Sequence, residues 1–358
     1  MKPAEFDYDN YNKKCEEINK RVSQFKTGEF LPVVTWTYPN SVYEWQCRYR
    51  EESLSLQLEG VTKTLETDND WVPYIEPWHG VGVFAQAFGC PFEWSERDAP
   101  WTKVIVDNIF KLRELEKPDI NKSEMLQYVL ETTEYFNKMT RGEIAIGPTD
   151  TQGPLSTLSL ICDPCWMLTE AWDYPDDFHR VLNDIADLII EFSLEQRKLC
   201  DKRAAPGHSM WSPAMFSGIS LSDDLLTMIG TDFYKEFGKP YDQKIADALG
   251  GAVIHSCGQW THMSDVIRTM NNITMVDIAI SKVYDPDPNI PEKIVAGFEG
   301  SEIPVQVRCN AKDIEQIDII LSGDIKTVLC LWWEENPEKR QQNYELFKKK
   351  WEYFKRKL

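Results

Sequence analysis

Eight short apolar or β-branched runs punctuate the chain: PVVTW (32–36), VPYIE (72–76), EIAIG (143–147), GHSMW (207–211), AVIHS (252–256), TMVDI (274–278), PVQVR (304–308) and TVLCL (327–331). Most are separated by segments whose apolar residues fall at helical spacing. SEMLQYVLETTEYFNKM (123–139) opens on a serine at the cap position. PDDFHRVLNDIADLIIEFSLEQRKL (175–199) opens on a proline followed by two acids, which suits a helix N-terminus and its dipole. TDFYKEFGKPYDQKIADALG (231–250) starts at Thr-Asp and stops at glycine, with Pro240 breaking it in two. NPEKRQQNYELFKKKWEYFKRKL (336–358) starts at Asn-Pro and ends in a basic turn. Alternating strands and helices predict a parallel sheet with helical crossovers, and eight such units predict an α/β chain of the (β/α)8 TIM-barrel type. The barrel is expected over 31–358, behind an N-terminal helical extension over 1–30. No Gly-x-Gly-x-x-Gly follows any of the runs and no P-loop occurs, so a nucleotide-binding Rossmann reading lacks its main support.

A barrel locates its chemistry at the C-terminal ends of the strands and in the loops beyond them. The stretch GAVIHSCGQW (251–260) places His255 and Cys257 at one such end. Being two residues apart, they point to the same face. Cys330 ends another run. One imidazole and two thiolates are zinc ligands by type, and three protein ligands leave a fourth position for water or substrate. The same residues also fit a plain reading, with Cys330 a small buried core residue and His255 a hydrogen-bonded histidine. Spacing alone leaves both open. Cys162-Asp-Pro-Cys165 has CxxC spacing but no second CxxC and no thioredoxin-like context, and it reads as structural.

Four further residues are candidate substrate contacts at the predicted mouth: His79 in EPWHGVG, His208 in APGHSMW, Asp150 in the Gly/Pro-rich GPTDTQGPLS, and Asp277 inside the apolar TMVDIAI. An aspartate in an apolar strand is costly unless it has a partner or faces a polar mouth. Glu76 also ends a run. Asp223 and Asp224 read most simply as caps of the helix that follows.

Charge narrows the function classes. Against 39 basic side chains stand 58 acidic ones, a formal charge of −19 over 358 residues. Such a surface repels phosphate backbones and anionic lipid, so neither nucleic acid nor a membrane surface is an expected partner. No apolar stretch reaches the roughly 18 residues of a membrane span. The N-terminal segment has no secretory h-region. Nine scattered cysteines, an odd number in a long chain, suit reduced thiols in the cytoplasm.

These residues resemble the uroporphyrinogen decarboxylase superfamily. The likeness runs through GISLSDDLLTMIGTDFYKEFGKPYDQKIADALGGAVIHSCGQW, where a strand ending in His-x-Cys-Gly follows a helix containing Pro-Tyr. WHGVGVFAQAFGCPFEWSERDAPW and GPTDTQGPLSTLSLI carry it upstream. The resemblance implies a TIM barrel. Within the superfamily, decarboxylases carry an arginine-rich N-terminal motif that grips substrate carboxylates. The corresponding LPVVTWTYPNSVYEW has no arginine before Arg48, and Arg308 is the other candidate. The chain is more similar to the zinc-dependent cobamide methyltransferases of the methylcobamide:coenzyme M type, whose His-x-Cys and later cysteine are matched by His255, Cys257 and Cys330. That branch implies a zinc ion on those three residues and an acid near the zinc, for which Asp277 is nearest. It also implies methyl transfer between a corrinoid and a zinc-activated thiol or similar small-molecule acceptor. No Asp-x-His-x-x-Gly corrinoid motif occurs, so the corrinoid is expected on a partner protein. The alternatives are a decarboxylase of a tetrapyrrole or other carboxylate, and a non-catalytic barrel subunit of a corrinoid complex. Direction of transfer, the fourth zinc ligand and a homodimer are left open.

Overall fold

The computed structural model describes residues 1–27, 30–35, 40–200 and 218–356. Its strands are β1 (Val33–Thr35), β2 (Phe92–Glu93), β3 (Trp101–Thr102), β4 (Ile219–Ser222), β5 (Ala252–His255), β6 (Ile273–Ala279), β7 (Val305–Cys309) and β8 (Thr327–Leu331). Six of them form one parallel sheet in the order β4-β5-β6-β7-β8-β1, while β2 and β3 make a small antiparallel pair. The wall between β1 and β4 is completed by two segments that barely qualify as strands. Asp70 N–H donates to Val33 O, Ile75 and Ile146 form a single parallel bridge, and Gln152 bridges Ser222. The result is the α/β barrel expected from the alternating pattern.

Strand parity divides the core. Ile254, Val276, Ile278, Val305, Val307, Leu329 and Leu331 face outward into the layer of helices. Their neighbours Val34, Val253, Met275, Val328 and Cys330 fill the barrel interior. Because side chains alternate along a strand, the inward set continues to His255, Asp277, Gln306 and Arg308. The helix Pro175–Leu199 shows why the outer layer forms. It buries Phe178, Val181, Leu182, Ile185, Ile189 and Phe192 at three- and four-residue spacing, with Asp176 and Asp177 in its first turn and Arg197 and Lys198 in its last. Each such apolar side chain contributes ~1.5–3 kcal/mol of burial free energy, and its terminal charges complement the helix dipole.

Several sequence expectations shift. The helical pattern over 231–250 is two helices, Thr231–Phe237 and Lys239–Leu249, that break at Gly238. A Cβ there would lie 2.3 Å from the Tyr234 ring. VPYIE and EIAIG pair only at Ile75 and Ile146; Pro73 removes one ladder donor, and Gly147-Pro148 ends the second run. GHSMW lies outside the described residues, whereas β4 is the unanticipated ISLS at 219–222. There two serines alternate with Ile219 and Leu221 and mask the strand as loop. Among the described residues, no helix is long and apolar enough to cross a membrane. The N-terminal helix Tyr8–Val22, capped by Asp7, is tied to the barrel through Tyr11, whose hydroxyl donates to Pro73 O at 2.9 Å.

Candidate metal centre

Strand β5 ends at His255, and the chain then turns through Ser256-Cys257-Gly258. Gly258 has φ +71°, and a Cβ on it would lie 2.7 Å from Thr227 Cγ2, so this turn requires glycine. Neighbouring loops hold the turn. Asp223 N–H donates to His255 O at 2.6 Å, and Cys257 N–H donates to Asp224 Oδ1 at 2.9 Å. From beyond β6, Asp285 accepts from Gly258 N–H, while the Asn289 amide donates to Gly258 O at 2.7 Å. The outcome is a fixed Cys257 Sγ 3.9 Å from His255 Nε2. One potential ligand atom from each of Asp224, His255 and Cys257 lies within 4.8 Å of the others.

Behind this group, His255 Nδ1–H donates to Asp277 Oδ2 at 2.5 Å. Asp277, fully buried, also accepts from Gln306 Nε2 at 2.6 Å and stands 2.8 Å from Arg308 Nε. Burial raises the Asp277 pKa, but Arg308 and His255 outweigh it and hold the carboxyl below its ordinary value. For His255, burial and Arg308 pull downward. The hydrogen bonds to Asp277 and Cys257 win and push it up to about 10. A carboxylate that locks Nδ1 leaves Nε2 as the ligating atom, the second-shell arrangement usual for a histidine on a metal. Imidazole, thiol and carboxylate are donors that zinc accepts. The residues therefore fit the metal that the sequence resemblance implies.

Cys330 stands outside the 4.8 Å group. It is fully buried on the same interior face, paired in register with Arg308 on β7 and Val34 on β1, and its Sγ lies 3.7 Å from the Tyr284 hydroxyl. Burial pushes this thiol well up.

On the far arc of the mouth, Asp150 accepts from Trp78 Nε1 at 3.2 Å and from Ser222 Oγ at 3.1 Å. Beside it, the Tyr43 hydroxyl donates to Glu76 Oε1 at 2.6 Å, and Tyr43 meets Trp78 edge-on. His79 is buried, with its imidazole against Thr132, Trp94 and Tyr128; burial and the nearby Arg50 cation depress its pKa to about 3. Arg48 lies over the Trp94 ring, 5.5 Å from its centroid. His208 lies outside the described residues. Of the CxxC pair, Cys162 is buried, Cys165 is exposed, and both are free thiols.

Asp223 and Asp224 do not cap as expected, because neither side chain bonds the first turn that follows. Asp224 supports the Cys257 turn. Asp223 is buried, accepts from Ser156 Oγ at 3.1 Å and faces Asp242, whose Oδ2 accepts from Tyr234 OH at 2.7 Å. Burial raises both carboxyls, Asp223 to about 6; the charge of Asp224 adds to the rise at Asp223, and that of Asp223 to the rise at Asp242. Sequence reasoning placed Asp224 near the mouth but read it as a helix cap, because it did not recognise β4, whose end lies two residues before it.

The uroporphyrinogen decarboxylase (URO-D) family profile matches residues 79–201. A solved structure of a methyltransferase from Methanosarcina mazei superposes with a TM-score of 0.64 at 14% identity, covering 94% of this chain and 98% of that one. The two chains share a fold. No curated protein sequence matches. At that coverage the shared fold extends well beyond the segment that the family profile matches.

Proposed function

We propose that the protein is a zinc-dependent methyltransferase that moves a methyl group between a corrinoid carried on a partner protein and a thiol or similar small acceptor. The observation that carries this reading is His255, locked through Nδ1 on Asp277 and presenting Nε2 to Cys257 at the C-terminal mouth of the barrel. The shared fold with a methyltransferase supports it. His255, Cys257 and Cys330 would hold the metal, with Asp224 the carboxylate nearest to the first two. Zinc bound there supplies the acidity that keeps an acceptor thiol in its nucleophilic thiolate form at neutral pH.

The chain's own residues do the remaining work. Asp277 fixes the imidazole tautomer. Asp224 and Asn289 set the turn that aims the Cys257 thiol. Arg308 stands beside Asp277 and stabilises its carboxylate. Metal analysis of the purified protein tests the reading, with about one zinc per chain expected and its loss on Cys257→Ala. Methyl transfer from methylcobalamin to a thiol, followed by the appearance of Co(I), tests the activity. A metal-free protein with Cys257 and Cys330 both titrating as free thiols would overturn it.

A further inference from the structure

Arg308 is only 7% exposed, yet its hydrogen-bonding capacity is largely unspent. A guanidinium carries five N–H donors in a rigid fork. Here Nε stands 2.8 Å from Asp277 Oδ2 as an ion pair but closes no hydrogen bond, and Nη2 reaches Ser256 O at a long 3.4 Å. Among the described residues, Nη1 has no partner. Nor is the charge fully compensated, since the single carboxylate of Asp277 also serves His255 and Gln306. A buried cation in that condition is costly unless something else completes it.

The position says what that is. Arg308 lies one residue from the C-terminal end of β7, beside Cys330 in the register. Its Nη2 contact with Ser256, on the same edge of the fork as Nε, sets that edge against the turn between His255 and Cys257. Asp277 pins the same edge, and the Tyr284 ring faces the guanidinium carbon at 5.6 Å. A fork pinned on one edge and open on the other is preorganised for a bidentate carboxylate, a geometry that a lysine could not reproduce.

We propose that Arg308 anchors a carboxylate on the small molecule bound at this mouth, so that the substrate is a short carboxylic acid with its reacting group at Cys257 and His255. The proposal rests on the methyltransferase reading only for what that reacting group does.

Calorimetric titration of the full-length protein tests it in two arms. In the zinc-loaded protein, 3-mercaptopropanoate is expected to bind ~10-fold more tightly than 2-mercaptoethanol. Arg308→Gln should reduce this preference to within about twofold, and Arg308→Lys should keep only part of it. In the metal-free protein, propanoate should bind where 1-propanol does not, again only with Arg308 present. Wild-type protein that does not distinguish acid from alcohol, or an Arg308→Gln protein that still does, overturns the proposal. Failure of the zinc reading would leave the propanoate arm intact, so the two failures are distinguishable. Should Arg308→Gln not fold, the charge-preserving Arg308→Lys decides, because a fork-dependent anchor predicts a weakened preference and an undirected charge an unchanged one.

Discussion

His255 on β5 and Asp277 on β6 occupy paired register positions, and the imidazole donates to the carboxylate across the two strands at 2.5 Å. Asp277→Asn keeps the shape but removes the charge that fixes the tautomer. Zinc affinity is expected to fall ~10–100-fold, measured by competition against a chromophoric chelator. The same change strands Arg308 as a buried, unpaired cation, so urea denaturation should show a loss of about 3 kcal/mol or more. Unchanged zinc affinity in a folded variant would separate Asp277 from the metal site.

Cobalt substitution counts the thiolates. With Cys257 and Cys330 both ligating, the sulfur-to-cobalt charge-transfer band of the wild type should fall by about half in Cys330→Ala and vanish in a Cys257→Ala, Cys330→Ala double variant. A band insensitive to Cys330→Ala would instead leave Asp224, His255 and Cys257 as the ligands, as their spacing allows.

His79 should make the protein acid-sensitive. Burial first, and the Arg50 cation second, lower its pKa from 6.5 to about 3. The unfolded chain therefore takes up a proton that the folded chain refuses. Stability from this group is complete above about pH 6.5 and is lost as pH falls toward 3, reaching a loss of about 2 kcal/mol by pH 5. Unfolding midpoints measured between pH 7 and 5 should fall less steeply in His79→Gln; an identical slope would refute the assignment.

The Asp223–Asp242 pair works in the opposite sense. Both carboxyls are raised, so the unfolded chain releases protons near pH 4 that the folded chain keeps to about pH 6 or above. Their contribution is largest in acid and is lost as pH rises through that range. Asp242→Asn supplies a permanent amide donor to Asp223 and should raise stability at pH 8 by about 1–2 kcal/mol, with little change at pH 4. A lower thermal midpoint at pH 8 would show that the pair needs its shared proton.

The barrel was legible in the sequence because its best strands are continuous apolar runs. TVLCL, at 327–331, coincides with β8 residue for residue, and AVIHS and TMVDI lie on β5 and β6. Where the wall is built from ISLS, local apolarity is too weak to mark it, whereas VPYIE and EIAIG were marked but are held only by a single bridge at Ile75 and Ile146. His255 and Cys257 do meet, but through the turn after β5 and not by strand alternation, because the strand ends at His255. The roles of Asp224 and Asp242 and the one-edged engagement of Arg308 were not legible, because each depends on which loop packs over which, and a period along one chain carries no such information. The separation of Cys330 from the Asp224–His255–Cys257 group likewise depends on side-chain rotamers and on Tyr284, reached from a loop 46 residues earlier.

The uneven wall of the barrel has a mechanical consequence. From β4 round to β1, six regular strands hold His255, Asp277, Arg308 and Cys330 in a laddered arc, while the arc near Glu76 and Asp150 hangs on isolated bridges. Backbone amides at 72–76 and 144–147 should exchange with deuterium long before those of β5 to β8. The mouth thus has a stiff jaw and a compliant one. An incoming molecule would then be gripped against the rigid side, with its bulk accommodated on the other.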